Sequence, residues 1–304
     1  MVGASWQSER VSRKPLRLAI LEATSMLEAA GVPSPRVDAE LLAAHLVGVE
    51  RGRLGLVPLV EPELVEAYFR TIEQRAKRIP LQYITGKTSL GNIDVEVGPG
   101  VFVPRPETEL LLAWALAFLE NVDRHPPVIL DLCTGSGALA LAIANARPDA
   151  VVHAVELDPS ALAWARRNAD LRSGEGDTPI TLHHGDVTAR DVLIELDGTV
   201  DMIVANPPYV PEGAQLDPEV IDHDPHMALF GGADGLSVIE PMVGNIARWL
   251  RVGGGVAIEH DDSNGDEVAA LLSRRRVFTE VIAHPDLAGR PRFVVATRAH
   301  PASA

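Results

Sequence analysis

Val128-Ile129-Leu130-Asp131-Leu132-Cys133-Thr134-Gly135-Ser136-Gly137 reads as a buried strand, Val128–Cys133, that breaks into a glycine turn. Its apolar run is that of a parallel strand covered on both faces. Two glycines ahead of a helix beginning near Ala138 let backbone N–H groups approach a ligand at the positive end of that helix. From Pro127 onward strand and helix patterns alternate, the signature of a parallel, doubly wound α/β sheet. Further strands are predicted at Val151–Glu156, Ile180–His184, Val200–Ala205, Gly255–Glu259, Val277–Ala283 and Arg292–Thr297, seven in all. No clear helical pattern separates the last two, so they are expected to pair antiparallel.

Asn206-Pro207-Pro208-Tyr209 follows the strand Val200–Ala205 and cannot prolong it, because two prolines donate no ladder hydrogen bonds. The chain therefore leaves the sheet at a strand's carboxyl end, where open α/β sheets bind ligands. Asn206, held by a rigid Pro-Pro unit, offers a carbonyl acceptor and NH2 donors in fixed positions. Tyr209 adds a flat stacking surface. These are the parts needed to grip a planar –NH2 group. The long, weakly periodic stretch from Pro207 to Gly235 is expected to be a lid or binding loop.

A dinucleotide site would show G-x-G-x-x-G around a pyrophosphate. Here Cys133-Thr134-Gly135-Ser136-Gly137 is followed by Ala-Leu-Ala, which favours a ligand with a small carboxylate and amine. Glu156 ends the second strand, 19 residues after Gly137, where an acid can accept both hydroxyls of a ribose. Asp186 ends the third, in position to accept the exocyclic amine of adenine, with Val187 against the ring. Plainer readings stand beside these. The glycine turn and the N-P-P-Y stretch could be tight turns and the acids helix caps, as Asp158-Pro159 is. Cys133 reads as a small residue beside the ligand rather than a nucleophile. His183-His184 has no accompanying Cys/His cluster, so no metal site is expected. Arg274-Arg275-Arg276 reads as a solvated helix end near the C-terminal dipole. Arg105 fits equally a buried-loop anchor and the hinge of a substrate lobe.

The front of the chain is different. Residues 1–13 are polar, lack the apolar core of a secretory signal and read as a disordered tail. Residues 14–83 read as a helical domain. Leu16, Ile20, Ala23 and Leu27 fall at helical spacing before Gly31; a second helix runs from Pro35 to about Leu46, and a third from Pro62 to about Arg78. In residues 84–104 the period changes, with Ile93, Val95 and Val97 alternating between Gly86, Gly91 and Gly98, which predicts a linking β-hairpin. A helix from Arg105 to Leu119 opens the remainder, residues 105–304.

A chain of 304 residues, 46 % hydrophobic, can hold one large and one small domain, and no apolar run reaches a membrane span. One Cys excludes an internal disulfide framework and suits the cytoplasm. Residues 1–85 carry 11 of the 27 basic and 10 of the 42 acidic side chains. The rest is therefore strongly acidic, without the global basic footprint that a duplex-binding enzyme needs.

With these residues in view the chain resembles class I S-adenosylmethionine-dependent methyltransferases. More narrowly it is similar to the HemK/PrmC family, the peptide chain release factor N5-glutamine methyltransferases. The resemblance rests on Pro80-Leu81-Gln82-Tyr83-Ile84-Thr85-Gly86, Val103-Pro104-Arg105-Pro106-Glu107-Thr108-Glu109, the glycine turn, Asn206 to Tyr209, Asp224-Pro225, and Ala228 through Leu236. It implies a seven-stranded class I methyltransferase sheet with a small N-terminal helical substrate-recognition domain. It implies S-adenosyl-L-methionine as methyl donor, S-adenosyl-L-homocysteine as product and a release factor as protein partner. By the same analogy Cys133 to Gly137, Glu156, Val187 and Asn206 contact the donor, and Asn206 to Tyr209 hold the substrate glutamine. N-P-P-Y is shared with adenine-N6 and guanine-N2 methyltransferases, so a nucleic-acid amino-methyltransferase is the competing enzyme reading; a non-catalytic cofactor-binding adaptor is the third. Two departures from the family pattern are Ser89-Leu90-Gly91 in the hairpin, where aromatics are usual, and Asp261 and Asn264, where Gly and Gln are usual.

Overall fold

The computed structural model describes residues 13–299. The tail expected over residues 1–13 lies, apart from Arg13, outside the described residues. The chain divides into two units. One runs to Gly86 and takes in Pro218–His223; the other holds Lys87–Asp217 and the chain from Asp224 onward.

In the first unit β1 (Lys14–Pro15) leads into α1 (Leu16–Ala29), followed by α2 (Pro35–Val47), β2 (Leu59–Val60), α3 (Pro62–Ala76) and α4 (Leu81–Thr85). Proline opens α2 and α3 at the first helical position, where its missing N–H has no intrahelical partner to lose. Leu16, Ala23, Leu27, Leu42, Tyr68 and Ile72 form the core. Arg75 is buried beside them, its Nε donating to Asp38 Oδ2 at 2.7 Å and its Nη2 lying 2.7 Å from Glu219 Oε1. Arg78 reaches the same Glu219 oxygen, so a shared carboxylate ties the returning segment to the helices. Sequence periodicity misses α4, whose five residues are too few to display a period. That helix takes Ile84 and Thr85 out of the expected hairpin and ends at Gly86, whose φ is 77°.

The second unit begins with the hairpin β3 (Lys87–Leu90) and β4 (Ile93–Glu96), shorter than expected because Pro99-Gly100 turns the chain away. Next come α5 (Thr108–Leu119), β5 (Val128–Leu132), α6 (Ala138–Ala146), β6 (Val151–Glu156), α7 (Pro159–Gly174), β7 (Thr181–His184) and β8 (Val200–Ala205). The short α8 (Pro218–Ile221), within the returning segment, and α9 (His226–Leu229) precede α10 (Ile239–Trp249), β9 (Leu250–Glu259), α11 (Gly265–Arg274), β10 (Phe278–Pro285) and β11 (Pro291–Arg298). The sheet order is β10-β11-β9-β8-β5-β6-β7. β7, β6, β5, β8 and β9 pair parallel, while β11 runs antiparallel to both β9 and β10. This is the seven-stranded, doubly wound class I methyltransferase-like architecture. β9 starts earlier than expected because α10 feeds straight into it.

Alternation along the strands explains the layers. Ile129, Val152, Met202, Val204 and Ala257 pack under α5 and α6. Leu130, Leu132, Ile203, Ala205, Val256 and Ile258 pack under α10 and α11. The central strand β5 sends one connection to β6 and has β8 on its other side, which makes the β5–β8 boundary the topological switch point, the place where open α/β sheets bind ligands.

Asp158 caps α7, its Oδ1 accepting the Ser160 N–H at 2.8 Å ahead of Pro159. Asp158→Ala is expected to cost about 1 kcal/mol of stability, read as a small fall in the thermal midpoint. No helix among the described residues is long and apolar enough to cross a membrane.

Candidate active site

After Leu132 the chain turns through three left-handed residues, Cys133 (φ 59°), Gly135 (φ 58°) and Gly137 (φ 81°). A Cβ at Gly135 would meet nothing within 4 Å, so the loop faces open space there. Glu156, at the end of β6, braces it: Oε2 accepts the Gly135 N–H at 2.8 Å and Oε1 that of Asp158 at 2.9 Å. Burial raises the Glu156 carboxyl above the usual range, and these N–H donors oppose the shift. Beneath the loop, Asp131 Oδ2 accepts the Thr134 hydroxyl at 2.5 Å and the Ala140 N–H at 3.2 Å. Burial pushes Asp131 up to about 7 despite those two donors. Its carboxyl therefore serves as the internal brace of the turn.

Asn168 on α7 ties the hairpin to the same loop. Its Nδ2 donates to the carbonyls of Ser136 and Glu96, and its Oδ1 accepts the Glu96 N–H, at 2.8–2.9 Å. Ser136 Oγ is buried with no hydrogen-bond partner among the described residues, an orphaned hydroxyl in a loop that faces open space. Together with the Glu156 carboxylate this fits a compact polar ligand at the turn. Cys133 packs partly buried against the core, and burial with three neighbouring carboxylates holds its thiol well above the usual range. That excludes a resting thiolate nucleophile.

The end of β7 abuts this region through the Gly185 N–H, which donates to the Glu156 carbonyl at 3.0 Å. Asp186 Oδ1 accepts the N–H and hydroxyl of Thr188 at 2.8 and 2.6 Å. Val187 is buried, and its carbonyl accepts Asn245 Nδ2 at 2.8 Å. His183 lies against His153, ring nitrogens 3.0 Å apart, and His184 Nε2 is 2.9 Å from the Leu157 carbonyl. Among the described residues no group of three or more His, Cys, Asp or Glu side chains gathers to hold a metal.

On the other side of the switch point, Ala205 pairs with Leu132 and with Ile258. Asn206 therefore leaves the sheet beside Cys133 on one flank and Glu259 on the other. Asn206 Nδ2 lies 3.4 Å from Thr108 Oγ1, which donates to Glu259 Oε2 at 3.1 Å. The Tyr209 hydroxyl donates to Glu259 Oε1 at 2.9 Å. Pro207 is buried, and Pro208 and Tyr209 are partly so. Burial raises the Glu259 carboxyl, opposed by its two hydroxyl donors and Arg292.

The stretch from Pro207 to Gly235 is more ordered than a loop of little periodicity suggests. The Val210 N–H donates to the Leu229 carbonyl at 2.8 Å and the Gly231 N–H to the Val210 carbonyl at 3.0 Å. A Cβ at Gly231 would lie 2.6 Å from the Pro208 oxygen, and one at Gly235 only 2.1 Å from the Tyr209 oxygen. Asn264 Nδ2 donates to the Tyr209 carbonyl at 3.3 Å and the Asp234 carbonyl at 3.4 Å. The backbone of the N-P-P-Y turn is thus clasped from outside. Arg105 forms an ion pair with the buried Asp224, its guanidinium 4.9 Å from the Phe102 ring centroid. Within this unit it anchors a loop.

The glycine turn, Glu156 and Asp186 thus line one side of the switch point, and Asn206 to Tyr209 leave from the other. Thr108, Glu259, Gly231, Gly235 and Asn264 were missed as site residues. An acid at the carboxyl end of the strand beside β8, as Glu156 is at the end of β6, was the available signal for Glu259.

Two family models match the chain: the PrmC N-terminal domain over residues 19–86 and the methyltransferase small domain over residues 106–223. The chain is 56 % identical to a release factor glutamine methyltransferase of Mycolicibacterium smegmatis, with 93 % of this chain and 98 % of the relative covered. It is 51 % identical to the protein of the same name from Mycobacterium tuberculosis, covering 93 % and 91 %. The relative from Deinococcus radiodurans is 42 % identical, covering 93 % and 99 %.

Proposed function

The chain belongs to the release factor glutamine methyltransferase family, and from that membership we propose that it methylates the side-chain amide nitrogen of the Gln in the Gly-Gly-Gln loop of a peptide chain release factor, in the cytoplasm, in support of translation termination. The observation that carries the reading is the exit of Asn206 from β8 directly beside the glycine turn that ends β5. A donor held at that turn and an amide held by Asn206 would meet across the switch point.

Cys133 to Gly137, Glu156, Asp186, Val187 and Asn206 would hold S-adenosylmethionine. When bound, that molecule supplies a methyl group on a positively charged sulfur. An amide nitrogen is a poor nucleophile, because conjugation with its carbonyl is worth about 18–20 kcal/mol on the scale of the rotation barrier. Hydrogen bonds from the –NH2 to Asn206 Oδ1 and the Pro207 carbonyl, each about 4–6 kcal/mol in a dry site, bend that conjugation only in part. They also aim the nitrogen, and alignment of two reactants can lower a barrier by roughly 7–11 kcal/mol. Positioning therefore dominates. A base is not needed before attack, because the methylated amide cation is strongly acidic and loses its proton afterwards. Tyr209 and Pro208 wall the pocket, Arg105 supports the substrate side through Asp224, and the helical unit serves substrate recognition.

The test offers labelled donor to the protein with a release factor, with its Gln→Ala variant and with nucleic acid. Label is expected in the first alone; label in nucleic acid and not in release factor overturns the proposal. Glu156→Gln gives a second check. It replaces a charged acceptor by a neutral one, a loss of roughly 1.5–3 kcal/mol. Donor Kd by calorimetry is expected to rise about 10- to 100-fold, with little change in the release factor KM.

A further inference from the structure

Four groups stand in a row behind the N-P-P-Y turn: the Tyr209 hydroxyl, the Glu259 carboxylate, the Thr108 hydroxyl and the Asn206 carboxamide. Thr108 and Glu259 are almost fully buried, 3 % and 1 % exposed, so water does not scramble the row. Each hydroxyl carries one hydrogen, and an ionised carboxylate can only accept. Tyr209 gives its hydrogen to Oε1, and Thr108 gives its own to Oε2. Thr108 then has only lone pairs left for Asn206. The carboxamide must therefore turn its NH2 toward Thr108, which sends Oδ1 to the opposite end of the amide plane.

From this hydrogen count we infer that Thr108 and Glu259 are positioning residues that fix which end of the Asn206 carboxamide faces the reacting group, so that the pocket presents an acceptor and selects a substrate that brings N–H donors. The inference rests on the reading above that Asn206 faces the substrate amide. A flipped Asn206 would present NH2 to NH2, and the substrate nitrogen would lose the contact that aims it. Thr108 also explains why the P-R-P-E-T-E segment, far from Asn206 in sequence, belongs to the same machinery: α5 begins at Thr108 and delivers that hydroxyl to the end of β8.

Burial raises the Glu259 carboxyl, opposed by the hydroxyls of Tyr209 and Thr108 and by Arg292 on β11, while Glu107 ahead of α5 adds to the rise. Protonation of Glu259 would put a hydrogen on the carboxyl, free Thr108 to donate to Asn206 Oδ1 and invert the row. Wild-type kcat should therefore fall on the acid side as Glu259 takes up its proton.

The experiment measures kcat, release factor KM and donor Kd for the full chain with Thr108→Val, Thr108→Ser and Glu259→Gln, with thermal midpoints alongside. Thr108→Val keeps the shape but removes the relay; kcat should fall about 10- to 100-fold, with KM and donor Kd within about threefold. Thr108→Ser, which keeps the hydroxyl, should restore most of the rate. Glu259→Gln can donate as well as accept, so it should lower kcat and abolish the acid limb of its pH profile; it stands in if Thr108→Val does not fold. Wild-type kcat in both Thr108→Val and Glu259→Gln, or equal losses in Thr108→Val and Thr108→Ser, would overturn the inference. A wild-type protein inert on release factors sinks the functional reading and this inference together. An active wild type beside an equally active Thr108→Val and Glu259→Gln sinks the inference alone.

Discussion

Asn206→Ala is expected to lower kcat for release factor methylation by about 10²- to 10³-fold, the scale of losing one preorganised polar contact to a reacting group. The side chain is only partly buried at the exit of β8. Among the described residues its one side-chain bond is the long 3.4 Å contact to Thr108, so truncation removes little that holds the fold. The thermal midpoint should move by no more than a few degrees, and the donor Kd by a small factor beside the loss in kcat. Stopped-time incorporation of labelled methyl, with calorimetry for the donor, separates these quantities. A variant that methylates at the wild-type rate would show that the amide is gripped elsewhere.

Gly235→Ala is expected to be the most damaging single methyl in the site. The added Cβ would fall 2.1 Å from the Tyr209 carbonyl oxygen and 2.6 Å from Asn264 Nδ2, at a residue whose φ is 77°. The left-handed backbone costs an alanine about 1–2 kcal/mol, and overpacking adds about 1–3 kcal/mol. Backbone cannot swing aside as a flexible side chain would, so the clash displaces the N-P-P-Y turn itself. We expect both a loss of about 2–5 kcal/mol in chemical denaturation and near-complete loss of methyl transfer in whatever protein folds. Gly213 is a fitting control: its φ is 84° with nothing within 4 Å of a Cβ, so Gly213→Ala should carry the backbone penalty alone. Equal damage from both would assign the whole effect to conformation and none to the clasp.

The sheet was legible in the sequence because parallel strands covered on both faces are continuous apolar runs. Val128 to Leu132 and Val200 to Ala205 are buried at every position. The glycine turn and Asn206 were legible for a related reason, since glycines and paired prolines mark where chain must leave a strand. The short helices at Leu81, Pro218 and His226 were not, because one turn shows no period. Thr108 and Glu259 escaped for a topological reason. Their hydrogen bond spans 151 residues, and only the strand order that sets β9 beside β8 brings them to Asn206. Asn264, a departure from the family pattern, proves to hold the Tyr209 carbonyl, a role that one sequence alone does not display.

The helical unit is not a contiguous stretch of chain. Arg75 and Arg78 converge on a carboxylate that arrives about 140 residues later, from Pro218–His223. A fragment ending at Gly86 would keep the Arg75–Asp38 pair but leave both guanidiniums without the Glu219 carboxylate that they share. The first unit thus gains its last carboxylate only once the chain has been made through His223.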